Sequence, residues 1–483
     1  MTPSVVQRVL GLLMMIFSLT MLPPIGFALA FDDGNWPAFA TGFAITAGSG
    51  IFVWLPVRGV RREMRLRDGF LVVALFWIVL GLFGAVPFVM SPNPVMSVTD
   101  AVFESMSGLT TTGATVLVGL DRLPESILYY RQQLQWLGGM GIIVLAVAVL
   151  PMLGVGGMQL YRAETPGPVK DTKLTPRITE TAKALWYVYL GITVACAFAY
   201  WLAGMSLFDA VCHSFSTVAI GGFSTHDLSI AWFDSVLIEM VAVVFMFIGG
   251  VNFSLHFLAW RRTTLRNYLG DPEFRAYVAV LGLLALLTVS YLYTTGEYAS
   301  LEQAFTKGLF QAVSIGTTAG FTTADYSNWP GSLPLLLILA SFIGGCAGST
   351  GGGMKVIRWL LIYKQGIREV SRLVHPSAEI PVKLGPRAVP FRIVDSVWGF
   401  FSVYVVLFGV MMVVVMTTGL DQVTAFASVA ASMNNLGPGL GDVAYNFAGV
   451  PDSVKWVSVA AMLFGRLEIF TLLVLLTPAF WQR

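Results

Sequence analysis

Ten apolar runs divide this chain, at about 9–30, 37–57, 69–90, 127–153, 184–204, 235–260, 276–296, 334–363, 394–418 and 455–480. Each is near the ~20 residues that cross a bilayer as a helix. A backbone in lipid must satisfy its own hydrogen bonds, which leaves helices or a closed barrel. Continuous rather than alternating apolarity selects helices. Only 12% of the residues are charged and 56% are hydrophobic, against about 25% charged in a soluble globule. The fold class is all-α integral membrane. A net charge of +2 offers no field for nucleic acid. Cys196, Cys212 and Cys346 show no paired spacing, so neither disulfides nor a cysteine-ligated metal is expected. Arg8, the run after it and Ala28-Leu29-Ala30 resemble a cleavable signal. The run's length and Pro23-Pro24 favour instead a first span kinked by proline.

Between spans 3 and 4, 5 and 6, 7 and 8, and 9 and 10 lie four half-polar segments: LTTTGATV (109–116), STVAIGGFST (216–225), IGTTAGFTT (315–323) and SMNNLGPGL (432–440). Each follows a stretch that fits a helix too short to cross a bilayer, then climbs into a glycine and stays extended. Glycine suits a backbone whose carbonyls must turn toward one axis, because a positive φ costs it little. The order is two leading helices (1–67), then helix, re-entrant hairpin, helix four times over, in repeats at 68–160, 161–265, 266–375 and 376–483. Four such turns around an axis would make a ring of oxygens able to replace the water shell of a cation.

The loops between repeats collect the basic residues. The stretches 58–67, 162–183, 261–275 and 355–392 hold 22 of the 29 lysines and arginines, which places both termini and these loops in the cytoplasm. The hairpins then enter from outside, and the carbonyl end of each short helix points inward, where its partial negative charge favours a cation. Asp100, Glu104 and Asp209 near the helix starts read first as N-terminal caps and second as attractors of cations at an outer mouth. The segment 364–393, with His375-Pro376 and Pro381, suits the membrane surface or a docked partner.

Span 8 is interrupted by GGCAGSTGGGMK at 344–355. Three consecutive helical glycines cost about 3 kcal/mol relative to alanine, so the stretch is expected to be an intramembrane loop lining a cavity below the ring. Small-residue packing between helices is the alternative, and the polarity of Ser349, Thr350 and Lys355 opposes it. In span 10, Arg466 and Glu468 sit in apolar surroundings, where an arginine normally faces an aqueous pathway. Positions i and i+2 do not face each other on a helix, so each has its own partner. Arg466 is expected beneath the ring, near the 344–355 loop, as an electrostatic barrier; the alternative is a buried ion pair between helices. Gln135 to Gly141 and Gly249 to Phe253 read as places where helices approach closely. His213, His226, His256 and His375 show no metal-ligand spacing, and no catalytic constellation appears, so the chain is not expected to be an enzyme.

Together STVAIGGFSTHD, IGTTAGFTTAD, NNLGPGLG, GGCAGSTGGGMK, QWLGGMG and GRLEIF resemble the signatures of the bacterial Trk/Ktr potassium-uptake proteins over nearly the whole chain. The two leading helices and GRLE are similar to the TrkH branch. The resemblance implies a single-chain pseudo-fourfold pore, a homodimer in the bacterial inner membrane, and a cytoplasmic ring of TrkA-type subunits that bind nucleotides (NAD, ATP or ADP). Carried over, it assigns a potassium filter to Thr111, Thr112, Gly113, Ile220, Gly221, Gly222, Thr318, Ala319, Gly320, Asn435, Leu436 and Gly437. Potassium would sit at the carbonyls of Thr112, Ile220, Gly221, Ala319 and Leu436. The gate would be Gly345, Gly348, Ser349, Thr350, Gly351, Gly352, Gly353, Lys355 and the pore arginine Arg466. Potassium is then the transported ion, and no organic cofactor is expected in this chain.

The acidic positions do not align across repeats: Asp100 to Gly113 and Asp209 to Gly222 span 13 residues, Glu302 to Gly320 spans 18 and Asp421 to Gly437 spans 16. The residues after each glycine, Ala114, Phe223, Phe321 and Pro438, also differ. Unequal surroundings predict modest discrimination of potassium over sodium. A proton- or sodium-coupled symporter is the rival reading, and it calls for inverted repeats with paired broken helices. Here the repeats run parallel, and only span 8 is expected to be broken.

Overall fold

The structure, a computed structural model, describes residues 3–60, 66–144, 178–262, 264–467 and 469–482. The first span is α1 (Pro3–Ser18) and α2 (Leu22–Ala30), joined by a 3-10 turn ahead of Pro23-Pro24, where the missing N–H groups interrupt the helical ladder. Then come α3 (Trp36–Trp54), α4 (Leu66–Gly84), α5 (Val86–Met90), α6 (Val98–Leu109) and α7 (Glu125–Val144). The expected second repeat holds α8 (Ile178–Leu202), α9 (Leu207–Val218), α10 (Val236–Gly249) and α11 (Phe253–Arg262), followed by the linker helix α12 (Arg266–Gly270). The third holds α13 (Pro272–Thr294), α14 (Leu301–Gly316), α15 (Leu333–Ser341) and α16 (Val356–Val374). After a two-residue hairpin ladder pairing Lys383 with Ala388 come α17 (Phe391–Met416), α18 (Gln422–Met433), α19 (Asp452–Arg466), α20 (Ile469–Leu476) and α21 (Pro478–Trp481).

Among the described residues, six spans are long and apolar enough to cross a membrane: Ser4–Ala30, Trp36–Val57, Arg67–Met90, Ala182–Leu202, Pro272–Thr294 and Phe391–Met416. The chain is an all-helical, multi-pass membrane protein. The expected boundary between the first two repeats, at 160, lies outside the described residues.

Two expected spans are not continuous. Span 6 folds into α10 and α11 at 93°, and span 10 into α19 and α20 at 110°. At the first elbow Gly250 packs against Tyr277, whose hydroxyl would stand 2.2 Å from a Cβ on that glycine. Asn252 then starts the next helix, its side-chain oxygen accepting the Ser254 N–H at 2.8 Å. Spans 6, 8 and 10 are therefore all broken, and the expectation of a single break in span 8 is corrected. The breaks lie in the second helix of three expected repeats, whereas the symporter reading calls for a pair of broken helices in inverted repeats.

The centre of the molecule is polar. Thr110, Thr111, Thr112, Ser214, Thr217, Ser314, Thr317, Thr318, Asn434 and Asn435 are all fully buried, within a shell of buried aliphatic and aromatic side chains. Buried hydroxyls and amides are costly unless hydrogen-bonded, so this centre has to be organised by specific bonds.

Candidate functional site

The short helices α6, α9, α14 and α18 end alike. The N–H groups of Thr112, Gly221, Ala319 and Leu436 donate to the carbonyls of Ser107, Ser216, Ser314 and Ala431 at 2.7–2.8 Å, five residues back. This is the Schellman closure of a helix C-terminus, which places the preceding residue in the left-handed region. Here those residues are Thr111 (φ 52), Ile220 (φ 52), Thr318 (φ 70) and Asn435 (φ 52), where a side chain costs about 1–2 kcal/mol. Two residues on, Gly113 (φ 82), Gly222 (φ 76), Gly320 (φ 81) and Gly437 (φ 97) are left-handed again.

The four turns meet in a closed ring. A Cβ on Gly113 would stand 1.9 Å from the Gly221 carbonyl oxygen, one on Gly222 2.1 Å from that of Ala319, and one on Gly320 2.0 Å from that of Leu436. One on Gly437 would stand 2.8 Å from the carbonyl oxygen of Thr112. Each turn leans on the next in chain order, and the fourth returns to the first. No side chain larger than hydrogen fits at these contacts.

The 344–355 loop packs against the helix ends of this ring. Thr350 donates to the Val218 carbonyl at 2.8 Å, the Gly352 N–H to Thr318 Oγ1 at 2.6 Å, and the Gly353 N–H to the Asn434 carbonyl at 3.0 Å. Ser349 bonds back to the Cys346 carbonyl, the Gly348 carbonyl accepts from Phe253, and that of Gly345 accepts from Val356. Lys355 donates to the carbonyl of Gly351. Gly348 (φ 71) and Gly353 (φ 70) are left-handed, and a Cβ on Gly352 would stand 2.0 Å from the Asn434 carbonyl oxygen. Arg466, at the end of α19 and 8% exposed, donates to Thr111 Oγ1 and, at 3.0 Å, to the Thr350 carbonyl. It thus joins the first turn to the loop. Glu468 lies outside the described residues.

Several side chains hold these turns in roles that the residues alone do not indicate: Gln135 is expected only where helices approach closely, and Asn435 only as a filter residue. Gln135 donates to the Gly221 carbonyl at 2.6 Å and accepts from the Phe223 N–H at 3.1 Å, holding the second turn from α7. Asn435 donates to Thr112 Oγ1 at 2.9 Å, tying the fourth turn to the first. Tyr404 and Ser341 both bond the Asn434 amide.

Glu104 is neither a cap nor part of an exposed mouth. It is fully buried, accepts from Arg131 at 2.7 Å, and receives Thr115 Oγ1 and the Val116 N–H of the return strand. Asp100 is bonded through its N–H to the cap Ser97 and pairs with Lys455 at 2.7 Å. Asp209 is bonded in the same way to Ser206 and accepts from Thr225.

In the loop after α9, His226 stacks on Trp232 at 3.7 Å and bonds Asp121. Burial lowers its pKa, but the hydrogen bonds and charges of Asp209 and Asp121 outweigh this and hold it above the ordinary histidine value.

Such a molecule belongs to the class of multi-pass, all-α membrane proteins centred on a closed ring of backbone turns. Its family follows from comparison: a family model described as TrkH, cation transport protein, matches residues 36–483, and the chain belongs to that family. It is 60% identical over 483 residues to the Trk system potassium uptake protein TrkH of Halomonas elongata, with 100% of both chains covered. It is 56% identical over 477 residues to the Trk system potassium uptake protein TrkH of Escherichia coli K12, with 99% of each covered. A crystal structure of the potassium transporter TrkH from Vibrio parahaemolyticus superposes with a TM-score of 0.93 at 55% identity, covering 100% of both chains.

Proposed function

We propose that this chain is the membrane subunit of a potassium uptake system of the bacterial inner membrane and conducts potassium through the ring of four glycine turns. The observation that carries the reading is the cyclic contact of Gly113, Gly222, Gly320 and Gly437 with the carbonyl of the next turn. Left-handed residues alternating along each turn bring successive carbonyls to one side of the strand, the arrangement that can replace a cation's hydration shell. The uptake proteins to which the chain is 60% and 56% identical are named for potassium.

In this reading Thr112, Ile220, Gly221, Ala319 and Leu436 offer carbonyls to potassium in a selectivity filter. The 344–355 loop and Arg466 obstruct the path at the helix C-terminal side of the ring. The hairpins re-enter the membrane from outside, and both termini are cytoplasmic. The subunit works as a homodimer on a cytoplasmic TrkA-type ring that binds nucleotides and drives the loop aside.

Rubidium-86 uptake into potassium-loaded proteoliposomes tests the reading. Uptake that potassium competes away and that persists without a proton gradient is expected; uptake abolished by collapsing that gradient would turn the reading toward coupled symport.

A further inference from the structure

We infer that Glu273, in the first turn of α13, is the positioning residue that pins the base of the 344–355 loop and keeps its tip against the glycine ring. One carboxylate oxygen, Oε1, accepts the Ala347 N–H at 2.7 Å and the Ile357 N–H at 3.3 Å. These groups lie on opposite sides of the tip, ten residues apart. A single atom thus closes the loop at its base. Everything between, from Gly348 to Val356, is held as one unit whose far end bears Thr350, Gly352 and Gly353 against Val218, Thr318 and Asn434.

The need for an outside acceptor follows from the loop's own sequence. The residue before α16 is Lys355, which is left-handed (φ 77) and makes no side-chain cap. A lysine has no acceptor to offer the free N–H groups of a helix start. Glu273 supplies that acceptor from another helix. The carboxylate is 4% exposed, so both bonds form away from competing water. The attachment also has a direction. Glu273 follows Asp271, which caps α13 through the Phe274 N–H at 2.7 Å. Just before it comes α12, bonded to α11 through Tyr268 and His256 at 2.7 Å. Displacement of the 264–272 linker therefore moves the loop base directly, without passing through the ring.

The inference rests on the reading of this loop as the gate, and the experiment separates the two. Cys196, Cys212 and Cys346 are all buried, and Cys346 adjoins the pinned residue. With Cys196 and Cys212 replaced by alanine, labelling of Cys346 by N-ethylmaleimide in the full-length reconstituted protein reports release of the loop, and rubidium uptake without any partner reports leak. Glu273→Ala removes the acceptor of both N–H groups and is expected to speed labelling at least about tenfold, the factor for one buried hydrogen bond of ordinary strength, and to raise leak severalfold. Glu273→Gln keeps an oxygen acceptor of the same length and shape and should stay near the wild type in both, whereas Glu273→Met fills similar space without that acceptor and should resemble Glu273→Ala, which a general packing role would not predict. Glu273→Asp, one methylene short, should resemble Glu273→Ala. Wild-type labelling in a folded Glu273→Ala or Glu273→Asp protein overturns the inference. Faster labelling with unchanged leak overturns the gate reading, and with it any control of flux by Glu273.

Discussion

Glu104 and Arg131 form an ion pair at 2.7 Å with side chains 0% and 1% exposed. Arg131 also donates to the Ser224 carbonyl at 3.0 Å and to Thr115 Oγ1 at 3.2 Å, and it stacks over Phe223. The pair therefore ties the return strands of the first two turns to α7. Removing one partner of a buried pair strands the other charge, at a cost of about 3–5 kcal/mol. Arg131→Met should lower the thermal midpoint of the detergent-solubilised protein markedly, and adding Glu104→Gln should recover part of the loss. An unchanged midpoint in Arg131→Met would show that the pair contributes little.

Much of this architecture was legible in the sequence because lipid makes apolar length decisive and a left-handed backbone makes glycine informative. Asp100, Asp209, Glu302 and Asp421 misled as markers of register, since only Asp421 is itself the cap. The capping residues do align: Ser97 to Gly113, Ser206 to Gly222 and Asp421 to Gly437 each span 16 residues, while Ser300 to Gly320 spans 20 because α14 has one extra turn. Nine residues before each glycine stand Glu104, His213, Gln311 and Ser428, all buried and polar. That spacing was present in the sequence, but only the return strands in space give it a purpose: Glu104 bonds Thr115, and His213 bonds Ser224 at 2.9 Å. Glu273 was illegible for a different reason, because its partners lie more than seventy residues away in a stretch without periodicity.

The contact of Gly113 with the Gly221 carbonyl predicts the effect of a side chain there. Gly113→Ser must push that carbonyl aside, and Gln135 holds the same oxygen at 2.6 Å. The second turn then loses its place in the ring. Potassium preference over sodium in competitive uptake should fall severalfold while the protein still folds. Preserved selectivity would remove Gly113 from the proposed filter.

His226 makes the loop contact between Asp121 and Asp209 dependent on pH. Its pKa in the folded protein is raised, so its contribution to stability is complete below the ordinary histidine value of 6.5 and is lost as pH rises through the folded value. Asp121 is lowered from 3.8 despite burial, by its bonds to His226 and Asp227, and its contribution is lost only as pH falls through the folded value. The melting-temperature gap between wild type and His226→Asn should be widest near pH ~5.5 and shrink by pH ~8.5. A gap that widens with rising pH would contradict this assignment.

Arg466 offers the most direct test of the proposed barrier. One terminal nitrogen of its guanidinium, Nη2, donates both to Thr111 of the first turn and to the Thr350 carbonyl of the loop. A fixed positive charge beside the path repels a cation, and burial in a low-dielectric site enlarges that repulsion. Arg466→Ala removes both the charge and the tie to the loop and should raise rubidium uptake severalfold. Arg466→Lys keeps the charge on a shorter side chain that loses reach to the two oxygens, so its uptake should fall between wild type and alanine. The lysine variant separates the two terms: if repulsion dominates, its uptake lies nearer wild type; if the tie dominates, it lies nearer alanine. Uptake unchanged or lowered in a folded Arg466→Ala protein would leave Arg466 as a structural bond between the first turn and the loop, and the barrier would have to be sought in the loop itself.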